Sequence, residues 1–309
     1  MANISENLST VKQSLIDIKN VIIDKGVTPT GNITTYADAI NQLCLCGGGE
    51  SVEGTELYIE NVSNSDGVFK LQKNGSPTYT PNLIYRIGDN GGWTYYDTTG
   101  LPNITVPSGS KIYLKGNNPN GFNQNSVSEY YYLTFSTSFN IGGYLTSLLA
   151  LDNFDTITDI PQFSFIYLFE YQSDLFNAKD LITSNITTVG DLAFMNCFYA
   201  CSSLTTAPSF ENVTTVNSYG FNACFYNCSS LTTAPSFDKV TTVNSYGYHG
   251  CFSYCTSLTT APKFDKVTTV SDSSFHNAFA NCSSLTTTPN FSNITSVGNL
   301  GFNACFQNC

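Results

Sequence analysis

The sequence predicts a mainly β chain with short helices, in three parts: an N-terminal helical, coiled-coil-like segment, a small antiparallel β-sandwich-like domain, and a C-terminal solenoid of 27-residue units. Three observations carry this. Cys201, Cys228, Cys255, Cys282 and Cys309 are each separated from the next by 27 residues. Residues 57–115 alternate short β-branched and aromatic runs with Gly, Asn, Pro and Asp turns. Ile4, Leu8, Val11, Leu15, Ile18 and Ile22 follow the 4-3-4-3-4 spacing of a heptad seam. The expected divisions are a helical oligomerisation or attachment segment over 1–46, a Gly-rich linker over 47–54, the β domain over 55–140 and the solenoid over 141–309.

In the first part, Asn3 with Glu6 can cap the helix and Gly26 can end it. A second short helix over 35–43 presents Tyr36, Ile40 and Leu43 on one side. The apolar seam either joins copies of the chain, as a trimer or else a dimer, or closes on the second helix as a hairpin; self-association is the preferred reading. Cys44 and Cys46 lie at a helix end just before Gly47, Gly48 and Gly49, where they pack.

In the second part, residues 57–62 (LYIENV), 83–87 (LIYRI), 93–96 (WTYY) and 111–115 (KIYLK) read as strands. Residues 142–149 form the junction to the repeats.

The third part is set by its columns. Leu204, Leu231, Leu258 and Leu285 keep the 27-residue step, as do Pro208, Pro235, Pro262 and Pro289 and the aromatic column Phe198, Phe225, Phe252, Phe279 and Phe306. Within one unit, residues 204–208 and 213–216 read as extended, because β-branched residues dominate and Pro208 forbids a helix between them. Residues 219–227 read as a short helical turn, which puts Phe221, Cys224, Phe225 and Cys228 on one side. A single unit buries too little apolar surface to offset the entropy of ordering its chain, so the units must stack and share a core.

Composition narrows the function. With 12 Lys plus Arg against 23 Asp plus Glu, the formal charge is -11, which repels nucleic acid. No run reaches the length of apolar residues that membrane insertion needs. The opening residues lack a basic stretch followed by an apolar one, so a chain made in a reducing cytoplasm without a signal peptide is expected, its 11 cysteines acting as small buried apolar groups.

Catalytic motifs are absent from the sequence: there is no P-loop, no Gly-x-Ser-x-Gly elbow and no His-Glu-x-x-His helix. Cys197 and Cys201 begin a cluster-like spacing, but the third position is Leu204, and Ala278 interrupts the column of Cys224, Cys251 and Cys305. Buried thiols are therefore preferred over a metal or cluster. His249 and His276 share a column with Asn222 and Asn303, either as a two-histidine metal site or, preferably, as a polar face. No enzyme, catalytic residue, metal or cofactor is expected; paired carboxylates far apart in sequence keep a carbohydrate-active enzyme as the least favoured reading. The candidate binding surface is the hydroxyl column Thr205, Thr232, Thr259 and Thr286, with Tyr219, Tyr246 and, in a column that changes between units, Lys263. Such groups suit a glycan or protein ligand through hydrogen bonds and ring stacking; the alternative is a solvated ladder that only stabilises the coil.

Two resemblances extend these readings. The run Phe225-Tyr-Asn-Cys228-Ser-Ser-Leu231-Thr-Thr resembles the BspA-like leucine-rich repeats of bacterial surface proteins, over roughly residues 165–309. Upstream, Phe169 and Leu175 fit this pattern with Gln172 in place of the cysteine, as suits a terminal unit. Residues 113–118 look like the β domain that commonly precedes such repeats. Residues 22–40 resemble the N-terminal pieces of bacteriophage tail and other virion proteins. Together they imply a virion fibre or decoration protein that docks on other virion proteins by its N-terminus and turns the solenoid toward a host-surface glycan or protein. The alternative they leave is a BspA-like adhesin or interaction protein.

Overall fold

The computed structural model describes residues 55–124 and 126–309. The heptad seam Ile4, Leu8, Val11, Leu15, Ile18 and Ile22 and the virion-like stretch 22–40 lie outside the described residues. The described residues form one compact unit.

The β domain contains β1 (Leu57–Asn61), β2 (Gly67–Asn74), β3 (Ile84–Ile87), β4 (Thr94–Tyr95), β5 (Ile104–Val106), β6 (Lys111–Lys115), β7 (Tyr130–Phe135) and β8 (Phe139–Tyr144). Four of these are the runs read as strands. The repeats contribute β9 (Asp159–Ile160), β10 (Leu175–Ile182), β11 (Thr188–Val189), β12 (Thr215–Val216), β13 (Thr242–Val243), β14 (Thr269–Val270) and β15 (Ser296–Val297). One sheet has the order β10-β8-β1-β6-β3-β4, and a smaller one has β5-β2-β7. Alternation decides which side chains meet between them: Leu57 and Ile59 of β1 and Phe69 and Leu71 of β2 are buried, whereas Tyr58, Glu60, Val68 and Lys70 are not. Tyr96 closes the space between the sheets, accepting from the Leu71 amide at 3.0 Å and donating to the Pro102 carbonyl at 2.7 Å.

The boundary expected at 140/141 falls inside β8, and the two parts share one core. β8 pairs antiparallel with β1 on one side and parallel with β10 on the other. From β10 a ladder of single bridges runs on through Asn177, Thr206, Thr233, Thr260 and Thr287, so the sheet of the β domain is continued directly by the repeats. At this seam Gln172 stands where later units carry cysteine, and its carbonyl oxygen accepts from the Phe135 amide of β7 at 3.2 Å. Tyr130 of β7 donates to the buried Glu170 carboxyl at 2.5 Å, and its ring stacks on Tyr167 at 4.1 Å. The missing cysteine is thus where the first coil is welded to β7.

Each coil has three hydrogen-bonded sides. One is the Thr206 ladder. The second is the parallel sheet β15-β14-β13-β12-β11-β9, in register as Thr188, Thr215, Thr242, Thr269 and Ser296. The third is the segment expected to be helical, and here the sequence reading is corrected: 219–227 is a chain of linked turns. Alternate amides bond three residues back within the coil, as Asn222 to Tyr219 at 3.1 Å and Cys224 to Phe221 at 3.2 Å, while those between them donate to the next coil, as Phe221 to Gly247 at 2.9 Å and Ala223 to His249 at 2.8 Å. A helix would keep all these donors inside its own coil and leave the stack without lateral bonds on this side. The backbone achieves this with a left-handed residue at every fourth position, Tyr219, Ala223 and Asn227 in this unit. Among the described residues no Val, Ile or Thr has positive φ, as crowding at Cβ requires.

Inside the coils, equivalent rings lie over one another. Phe198, Phe225, Phe252, Phe279 and Phe306 follow at 5.2, 5.6, 5.4 and 5.4 Å with nearly parallel planes. Two further aromatic columns, one through Phe221 and Tyr248 and one through Phe210 and Phe237, meet each other edge-on, for example Phe210 against Phe221 at 4.8 Å. The thiols of Cys228, Cys255 and Cys282 each donate to the carbonyl of the phenylalanine 30 residues earlier, at 3.0 to 3.1 Å.

Candidate functional site

The threonines of the expected binding surface stand on the Thr206 side of the coils. Thr232, Thr259 and Thr286 are exposed and Thr205 is half-buried. Several of their hydroxyl protons are committed along the stack: Thr205 donates to the Phe176 carbonyl at 3.1 Å, Thr259 to Thr232 at 3.3 Å and Thr286 to Thr259 at 3.0 Å. What these three hydroxyls keep for a ligand is their acceptor capacity. Tyr219 and Tyr246 are elsewhere, at the start of the turn segment, stacked on each other at 4.5 Å with planes 3° apart. Their facing surfaces are covered by this pairing. Lys263 is exposed, close after the Thr260 bridge. The structure therefore does not bring Tyr219 and Tyr246 together with the threonine column.

The cysteines stay separate thiols. Eight of the nine described ones are buried, and burial pushes their thiols up, Cys282 and Cys305 to about 12. The carbonyl acceptors, the apolar surroundings and the raised thiols fit the apolar role and oppose the thiolate form that metal binding needs. Among the described residues no group of three or more His, Cys, Asp or Glu is placed to hold a metal. His249 Nδ1 lies 3.0 Å from Asn222 Nδ2, His276 Nε2 lies 3.1 Å from Asn303 Nδ2, and the two imidazoles meet edge to face at 4.9 Å. Each imidazole bonds a neighbouring amide along the column.

The turn side carries a groove that the sequence reading did not pick out. It follows the stack from Met195 and Asn196 to Asn281 and Gln307, with a volume of about 450 Å³. Tyr199, Tyr226 and Tyr254 form one wall. Tyr199 and Tyr226 stack in parallel at 4.9 Å, whereas Tyr254 is tilted by 54° and 43% exposed, so its ring is open to the groove and to solvent. Asn222 and His249 line it as well. The signal that could have located it is a break in the repeat. In the column beginning Tyr199 and Tyr226 the next residues are Ser253, Ala280 and Gln307, and in the adjoining one Asn196 and Ala223 are followed by Gly250.

A stack of near-identical coils with filled cores and parallel ladders defines the class: a repeat solenoid of the leucine-rich kind. The chain matches the family described as BspA type Leucine rich repeat region (6 copies) over residues 65–224 and 167–309, and it belongs to that family. The match begins well upstream of residue 165, inside the β domain to which the coils are joined. No curated protein and no solved structure matches the chain. The family fold is a non-catalytic scaffold. No helix among the described residues is long and apolar enough to cross a membrane.

Proposed function

We propose that this protein is an adhesion and interaction module of the BspA kind, which binds a partner along its coils without transforming it. The observation that carries this reading is the division of labour among columns. Framework residues fill the core and bond coil to coil, while a continuous groove opens where outward columns differ between units. Such a surface recognises by shape and hydrogen bonding, and its ligand chemistry can change without disturbing the stack.

Beads coated with the full chain and applied to bacterial and animal cells test it. Saturable retention, competed by soluble chain, is expected; retention no greater than that of albumin-coated beads overturns the proposal. The narrower reading, a virion fibre or decoration protein that self-associates through Ile4, Leu8, Val11, Leu15, Ile18 and Ile22, is supported by the resemblance of residues 22–40. Density for this chain on a purified particle is its test, and a monomeric full chain by light scattering at high concentration counts against the seam.

A further inference from the structure

We propose that the groove bounded by Tyr226, Gly250, Ser253 and Tyr254 is a binding site for an uncharged oligosaccharide. This rests on the adhesion reading and names the ligand class for it.

The first argument is charge. The chain carries 12 basic and 23 acidic residues, yet among the described residues no Asp, Glu, Lys or Arg lines the groove. Its polar side chains are the amides of Asn196, Asn222, Asn277, Asn281 and Gln307, with tyrosine hydroxyls, the Ser253 hydroxyl and one imidazole. Carboxamides both donate and accept, which matches the mixed capacity of sugar hydroxyls. An anionic or cationic ligand would enter with no counter-charge and lose its hydration. Burial and the neighbouring His276 lower the His249 imidazole below its ordinary range, which keeps this wall neutral as well.

Space gives the second argument. A Cβ placed on Gly250 would meet nothing nearer than Ser253 Oγ at 3.9 Å and Tyr226 Cδ2 at 4.0 Å, so the floor is open where neighbouring units carry larger groups. The volume of about 450 Å³ lies in the range of small-ligand clefts.

Geometry gives the third. Tyr254 offers an accessible ring, the apolar face on which the C–H surface of a pyranose packs. Tyr199 and Tyr226 stack 4.9 Å apart on successive coils, and Ser253 follows them in the same column, so beside Tyr254 the wall steps from a phenol ring to a small residue.

The test uses the full chain on an array of immobilised neutral oligosaccharides of hexoses and N-acetylhexosamines, printed beside sialylated and sulfated counterparts. Tyr254→Asn and Ser253→Tyr are the two variants. Both take the residue that the same column carries in another unit, Asn227 for the first and Tyr226 for the second, so the fold has a precedent for each. Retention of neutral glycans is expected, weakened at least ~10-fold by loss of the exposed ring and at least ~10-fold by closing the floor, with unchanged circular dichroism. Retention of acidic glycans only, of none, or of neutral glycans with both variants unaffected overturns the proposal. If the beads still adhere to cells and adhesion resists glycosidase treatment, the groove assignment fails while the adhesion reading stands; if the beads do not adhere at all, the adhesion reading fails.

Discussion

Replacing Phe252 by alanine removes a ring that is fully buried and flanked on both sides, by Phe225 at 5.6 Å and by Phe279 at 5.4 Å. Truncating a buried phenylalanine costs about 3–5 kcal/mol through lost transfer energy and the cavity left behind. Within that figure each aromatic pair accounts for about 0.5–1.5 kcal/mol. Phe306 supplies the internal comparison, since it is half-buried and stacks only on Phe279, at 5.4 Å. In a stack that communicates between nearest neighbours, Phe306→Ala is expected to cost about half as much. The assay is urea unfolding of the full chain followed by far-UV circular dichroism, with hydrogen exchange to locate the damage. The Phe225 and Phe252 amides, which donate to Cys251 and Ala278 of the next coils at 2.9 and 2.8 Å, should lose protection first in Phe252→Ala. A loss below about 1 kcal/mol for Phe252→Ala, less than a buried ring can contribute, or a larger loss for Phe306→Ala, refutes the stacked core.

Iodoacetamide on the native chain, read by peptide mass, should label Cys309, which is exposed, and spare Cys201, Cys228, Cys251 and Cys255, which are buried with thiols held above their ordinary range; comparable labelling of these four contradicts the packing. At Ala304, where φ is 50°, Ala304→Val should lower stability by about 1–2 kcal/mol and Ala304→Gly should leave it equal or higher by thermal unfolding; a valine variant as stable as the parent refutes the left-handed turn. His249 titrates below its ordinary 6.5 because it is buried and then because His276 is near, its other close neighbours being Asn222 and Tyr246. As pH falls through 6.5 the unfolded chain takes a proton that the folded chain refuses, so this group withdraws stability until the folded imidazole protonates too. Burial raises Glu170 above 4.5, the opposite sign, so its strain is relieved on acidification toward that value. The drop in melting temperature between about pH 7.5 and about pH 5.5 should therefore be smaller in His249→Asn than in the parent; equal drops refute the assignment.

The stacking was legible because its causes are local and repeated. Leu204, Pro208, Phe210, Cys201 and Phe198 each have one environment in every coil, so the 27-residue step writes the core directly into the sequence. The turn side was not legible by the same means. A helix and a chain of linked turns both bring residues four apart to one face, so Phe221 with Phe225 and Cys224 with Cys228 fit either. What separates them is where alternate amides go, which depends on the neighbouring coil. The trace left in sequence is negative: the left-handed columns, such as Tyr219, Tyr246, Ser273 and Leu300, avoid the β-branched residues that are common elsewhere in each unit. Gln172 in the cysteine column reads as an irregular unit, but its reason, an amide of β7 needing an acceptor, lies 37 residues away.

Why recognition should sit on the turn side follows from how the hydrogen bonds are spent. On the threonine side the backbone ladder and hydroxyls such as those of Thr259 and Thr286 are satisfied by the preceding coil, so a ligand there displaces water and gains few new bonds. On the turn side the backbone is equally satisfied, but the groove is lined by amides and phenols, whose side chains both donate and accept. The left-handed positions fix the backbone without fixing what the outward columns carry: Asn196, Ala223, Gly250, Asn277 and Ala304 occupy one such column in five successive coils. A groove can therefore be opened by substituting small residues at Gly250 and Ser253 while the backbone that frames it stays the same. Chemistry that varies on a framework that does not is what selective binding requires, and in this chain the two coincide at Tyr254 and its neighbours.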